Sequence, residues 1–146
     1  MNILILGGHG FIGSHTARQL IDRGHSVCIA DIHHRYGEYP DWEYEPVLRQ
    51  RLDYIGNHRQ YIGNVSNREF LESVFDAEKP DRVIDLATYP NAKMVKKNVV
   101  DATNNMISAT AIALDLSAKY NIQRFILASS SMVYGDFDAI GAAPDE

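Results

Sequence analysis

Short, wholly apolar runs alternate along this chain with longer stretches in which apolar side chains recur every three or four positions. Asn2 to Leu6 carries Ile3, Leu4, Ile5 and Leu6 in unbroken succession, which predicts a strand buried on both faces. Phe11 to Arg23 comes next, with Ala17, Leu20 and Ile21 on one stripe and Gly24 as the stop, the pattern of a helix laid on a sheet. Ser26 to Asp31 reads as a second strand and Arg59 to Val65 as a third. Ser66 is expected to cap a helix running to about Ala77, with Glu69 completing a capping box, and Pro80 precedes a fourth strand, Arg82 to Ala87. A long apolar helix is predicted from about Lys96 to Tyr120, then a fifth strand, Arg124 to Ser129, and a terminal loop from Asp136 to Glu146. The rhythm lapses only between His33 and His58, where Tyr36, Tyr39, Trp42, Tyr44 and Tyr54 mix with Pro40 and Pro46. There a short helix from about Pro46 to Ile55 is expected, with proline in its first turn, and the aromatics read as a local packing cluster.

Five strands alternating with helices predict an α/β fold, a doubly wound parallel sheet with right-handed crossovers and strand order 3-2-1-4-5. The 146 residues suffice for one domain, 1–146, with 45% hydrophobic content and no compositional sign of disorder. A net charge of −5 gives no electrostatic reason to expect nucleic acid or an anionic membrane as partner. The single cysteine, Cys28, lies inside a strand pattern, so no disulfide framework is expected and a reducing, cytoplasmic setting fits. The N-terminal apolar run enters a glycine loop at once and is too short for a signal peptide or a membrane span.

That loop carries the chemistry. In Gly7-x-x-Gly10-x-x-Gly13, directly after a strand and opening a helix, Gly7 permits the turn, Gly10 lets phosphate approach backbone, and Gly13 lets helix pack on strand. The helix N-terminus then offers unpaired amides and a positive dipole end to a pyrophosphate. Asp31 ends the second strand 18 residues beyond Gly13, where a carboxylate is placed to accept from an adenosine ribose. An acid there would repel a 2′-phosphate, favouring NAD over NADP, although His33, His34 and Arg35 could supply positive charge nearby. A Walker-type loop is disfavoured because no lysine follows Gly13. His33 and His34 are adjacent and the other histidines scattered, so they read as solvated surface and no metal is expected.

GGHGFIGSHTARQL, the Asp31 strand end, RVIDLAT, NNMISAT and RFILASSSMVYG together make the chain similar, over its whole length, to the N-terminal part of an extended short-chain dehydrogenase/reductase. The nearest likeness is to nucleotide-sugar epimerases and dehydratases, whose fold is Rossmann-like. The resemblance implies that Phe11 and Ile12 offer amides to the pyrophosphate, that Asp31 holds the ribose, and that Asn64 and Val65 flank the adenine. It puts Leu86, Ala87 and Thr88 along the cofactor and Asn105 at a supporting position in the long helix. The family more often has aspartate in place of Asn64 and a small residue in place of Thr88. Ser130 matches the family's catalytic Ser or Thr, whose hydroxyl bonds the substrate oxygen that exchanges a proton.

The family's chemistry also needs a tyrosine with a lysine four residues on, the lysine lowering the phenol's pKa so that it acts as general base while hydride passes to or from the nicotinamide. That pair should come some twenty residues after the serine motif, past Glu146. Tyr134 does not replace it, since Asp138 stands four residues on; Tyr89 and Lys93 have the spacing but precede the motif and read as a decoy. The chain is therefore expected to be a truncated domain that lacks the later strands and the region holding the nucleotide sugar. It should bind cofactor without turnover and self-associate through helix 96–120. The alternative is a non-catalytic cofactor-binding module, or a subunit completed by another chain.

Overall fold

The computed structural model describes residues 1–34, 40–89, 92–130 and 133; Arg35, Tyr36, Tyr39, Pro90, Tyr134, Asp138 and the Asp136–Glu146 loop lie outside them. The described strands are β1 (Asn2–Leu6), β2 (Ser26–Asp31), β3 (Arg59–Ile62), β4 (Arg82–Asp85) and β5 (Arg124–Leu127). They form one parallel sheet in the order β3-β2-β1-β4-β5, with Leu4 of β1 opposite both Cys28 of β2 and Val83 of β4.

Successive side chains of a strand point to opposite faces, and β1 serves two cores at once. Ile3 and Ile5 join Val27, Ile29, Ala17 of α1 (Phe11–Asp22) and Ile55 of α2 (Asp41–Ile55) on one face. Leu4 and Leu6 join Cys28, Val83 and the buried Leu71, Val74 and Phe75 of α3 (Arg68–Glu78) on the other. Ala109, Ala113 and Leu116 of the long helix complete that second layer. Full burial of a side chain such as Phe75 contributes about 2–3 kcal/mol.

Four local expectations are corrected. The three later strands stop two or three residues early, at Ile62, Asp85 and Leu127, although the next amides, of Gly63, Leu86 and Ala128, each still bond the neighbouring strand at 3.0, 2.9 and 3.0 Å. α2 begins at Asp41 with Pro40 as its cap residue, so Pro46 sits within the helix instead of opening it. α3 is capped by Asn67, whose side chain accepts from the Phe70 amide at 3.1 Å; Ser66 instead donates its amide and hydroxyl to Asn64 Oδ1, so the expected Ser66–Glu69 capping box is absent. The long helix starts earlier and is broken into α4 (Ala92–Lys97), α5 (Val99–Thr103), a π-helical turn (Asn104–Ser108) and α6 (Ala109–Lys119). Asn98 interrupts its first part, accepting at its side chain from the Asp101 amide at 3.3 Å.

Among the described aromatics of the irregular stretch there is no single cluster. Trp42 is exposed, Tyr44 lines a cavity at the strand ends, and the Tyr54 ring lies 4.9 Å from that of His15.

Candidate functional site: a nucleotide cleft at the C-terminal ends of the strands

β1 ends in a left-handed Gly7, at φ 71°, whose amide donates to Ala30 O at 2.8 Å. A Cβ there would lie 2.9 Å from the Ala87 backbone, so only glycine lets the loop pass between the ends of β2 and β4. Gly13 is buried where a Cβ would come within 2.6 Å of Gly7 O and Gly8 Cα, which brings the start of α1 directly onto the loop. α1 has no side-chain cap at Gly10 and no acidic residue in its first turn, and Phe11 and Ile12 are exposed. Its first amides therefore face outward with a positive dipole end, the arrangement that receives an anion.

Asp31 stands at the end of β2 with both carboxylate oxygens already oriented. Oδ2 accepts from the His9 amide at 3.0 Å and Oδ1 from the His33 amide at 2.9 Å. A carboxylate offers about four lone-pair positions, so two remain for further donors such as a pair of sugar hydroxyls.

A cavity of about 440 Å³ opens between the glycine loop, α2 and the end of β4. Ten of the twelve cofactor residues expected from sequence line it: Gly7, Gly10, Phe11, Asp31, Asn64, Val65, Leu86, Ala87, Thr88 and Asn105. Gly13 lies beneath the loop, and Ile12 faces a separate groove with Phe11, His15 and Ile84. Ser130 is exposed beyond β5, with its carbonyl accepting from the Val133 amide at 3.1 Å, and does not line the cavity.

Asn64 Oδ1 accepts both the Ser66 amide and hydroxyl, at 2.9 and 2.8 Å. A carbonyl oxygen has two lone pairs, so the side chain's remaining capacity is its NH₂ donor. Asn105 donates to Asp101 O at 2.9 Å and Asp101 Oδ1 at 3.0 Å from within the π turn. The same aspartate accepts from Tyr89, which is buried with Met94 and Ala102, while Lys93 is exposed. Tyr89 is thus a packing and bridging residue in the described structure, not the phenol of an exposed Tyr-Lys pair.

Asp85, fully buried under this end of the sheet, accepts from the Ala87 amide at 3.1 Å and the Thr110 hydroxyl at 3.0 Å. Burial raises its carboxyl above the ordinary range, with those two donors pulling the other way.

Two groups of residues were missed or misread in the sequence. Glu43, Tyr44, Val47 and Arg51 of α2 wall the cavity on the Asp31 side, and Arg51 reaches His9 O at 3.4 Å. Their signal was helical spacing, visible once the helix is carried back from Pro46 to Asp41. The second group is histidines, for which the solvated-surface reading fails at three positions. His9 is 2% exposed, its Nδ1 lies 2.6 Å from His33 Nε2, and its Nε2 lies 2.9 Å from His58 Nε2. His58 Nδ1 in turn lies 2.7 Å from Gly56 O. A carbonyl only accepts, so with neutral rings one proton arrangement satisfies every contact: His33 donates to His9, His9 to His58, and His58 to Gly56. Burial lowers the His9 pKa to about 4, against the pull of the Asp31 carboxylate and with the help of His33 and His58.

The profile of the NAD dependent epimerase/dehydratase family matches residues 3–146. The dTDP-D-glucose 4,6-dehydratase of Dictyostelium discoideum is 32% identical over 145 residues, covering 91% of this chain and 30% of that protein. Protein CapI of Staphylococcus aureus is 36% identical over 138 residues, covering 92% of this chain and 39% of that protein. The solved UDP-glucose 4-epimerase of Bifidobacterium longum, in complex with NAD+ and UDP, superposes with a TM-score of 0.74 at 27% identity, over 92% of this chain and 38% of its own. The chain spans 30–40% of the length of such curated relatives. With its Rossmann-like sheet, glycine loop and strand-end aspartate, the chain belongs to the NAD dependent epimerase/dehydratase family.

Proposed function

We propose that this chain is the NAD(H)-binding portion of a nucleotide-sugar epimerase or dehydratase. The convergence of the glycine loop, Asp31, Asn64 and the Leu86–Thr88 segment on one cavity carries the reading. In it, the first amides of α1, at Phe11, Ile12 and Gly13, receive the pyrophosphate. Asp31 accepts from the ribose hydroxyls, and its negative charge favours NAD over NADP. Asn64 and Val65 flank the adenine, with Asn64 donating from its NH₂. Leu86, Ala87 and Thr88 shield the cofactor along β4, and Asn105 supports the site from the long helix. Bound NAD supplies a hydride acceptor and donor at its nicotinamide. Ser130 hydrogen-bonds the sugar oxygen that gains or loses a proton.

Residues 1–146 form the cofactor domain of this protein in our reading. No lysine stands four residues after a tyrosine beyond Ser130 within them, so this polypeptide by itself binds cofactor without turning over sugar. The exposed Val99, Val100 and Ile107 on the long helix support self-association through that surface. No described helix is long and apolar enough to cross a membrane.

Calorimetric titration with NAD and NADH tests the cofactor reading: both should bind, and Asp31→Ala should weaken them. Absence of heat, together with an unchanged melting temperature in folded protein, defeats it. Epimerisation or dehydration of a nucleotide sugar by these 146 residues defeats the prediction of inactivity.

A further inference from the structure

We propose that His9 Nδ1, His33 Nε2 and the Asp31 carboxylate form a site for a divalent cation of the zinc class, and that the ion competes with the cofactor's adenosine ribose for Asp31. The site itself stands on local geometry; the competition rests on the ribose role proposed above for Asp31.

The candidate ligand atoms all lie within 4.8 Å of one another. His9 Nδ1 and His33 Nε2 are 2.6 Å apart, a gap that holds a proton between two aligned lone pairs. A tetrahedral ion with bonds of about 2.0–2.1 Å holds its ligand atoms about 3.3 Å apart, so on binding the half-buried His33 ring withdraws by less than about 1 Å and the widest pair, now up to 4.8 Å apart, closes by about 1.5 Å. The donor set of two imidazoles and one carboxylate suits a borderline-soft ion with an open fourth position. It is poorly matched to magnesium or calcium, which take oxygen ligands.

Three further features point the same way. The second nitrogen of His9 is tied to His58, and His58 to the Gly56 carbonyl, leaving the His9 Nδ1 lone pair directed at the site. Such an outer layer orients the rings of metal-bound histidines. Asp31 is fixed by the amides of the same two histidines, so all three ligands belong to one short chelate. Finally, His33 sits at φ 53°, a left-handed conformation that costs a non-glycine residue free energy and turns its ring back onto His9.

The test is titration of the chain with Co²⁺, read by visible absorption, and with Zn²⁺, read against a chromophoric chelator. One ion should bind per chain. His58→Gln should weaken it by about tenfold or more, and His33→Asn, whose asparagine tolerates the left-handed backbone, by more than His58→Gln. His25→Gln should change nothing. Equal affinity in wild type and His33→Asn, or binding without one-to-one stoichiometry, overturns the site. NAD titration with and without saturating Zn²⁺ tests the competition: NAD affinity should fall with the ion and return on adding EDTA. Zinc bound through these residues with unchanged NAD affinity overturns the competition. Zinc bound with no NAD binding even after EDTA defeats the cofactor reading and leaves the metal site standing.

Discussion

β1 and β5 are short parallel strands of one sheet, yet Leu4, Ile5 and Leu6 are fully buried while Ile126 and Leu127 are 45% and 51% exposed. The contrast extends to the segments that adjoin each strand. After β1 comes a tight glycine loop and an unbroken helix whose inner face is covered; before β5 comes a helix in four pieces, with Val100 and Ile107 at 74% and 67% exposure. At the glycine loop the core side is closed: the apolar side chains of β1 are covered on both faces, while Phe11 and Ile12 stay exposed at the start of α1. The half adjoining Ser130 leaves apolar surface uncovered on β5 and the long helix. In the proposed function, the cofactor contacts gather around the ends of β1, β2 and β4, and Ser130 lies beyond β5.

Substitutions on either side put this contrast to the test. Gly13→Val should have the largest effect, because its side chain meets backbone on the closed side; we expect a loss of about 3 kcal/mol or more in urea unfolding, together with loss of NAD binding. Asp31→Ala leaves the fold in place but removes a charged acceptor, and should weaken NAD about 10–100-fold by calorimetry. On the open side, Ile107→Glu should barely change stability, within about 0.5 kcal/mol, yet reduce self-association in sedimentation experiments. A wild type that is monomeric at every concentration would remove the open flank's proposed role.

The two smallest effects read the interior beneath both flanks. A carboxyl whose folded pKa is raised holds its proton longer in the folded state than in the unfolded one. Asp85 should therefore cost stability as pH rises from the ordinary carboxylate value through its raised one. Asp85→Asn should flatten that part of the stability profile measured by denaturant unfolding. Cys28 lies in β2 where burial pushes its thiol up to about 12, so its alkylation in native protein should be no faster than global unfolding.

Much of this was legible in the sequence, for reasons that differ by region. β1, β2 and the glycine loop are local devices: unbroken apolar runs, glycines demanded by close backbone approach, and an acid at a strand end. Strand order came from the βα alternation. α2 was misread because Pro46 looked like a helix start; the helix instead opens at Pro40 and Asp41, and Pro46 lies inside it, where its missing N–H leaves one i→i−4 bond unmade. The cap of α3 was placed at Ser66 because a capping box is a pattern of residue types, whereas Asn64 takes that serine's donors and leaves the helix end to Asn67. The histidine chain was invisible because His9, His33 and His58 are brought together by three different loops, and no spacing along the sequence encodes such a meeting.

The π turn at Asn104–Ser108 divides one long helix into two mechanical roles. An added residue in a helical turn advances every later side chain by about 100° around the axis. That offset lets Asn105 line the cavity while Ala109, Ala113 and Leu116 pack on the sheet. One helix thereby serves cleft and core at once, with the turn setting the angle between the two faces.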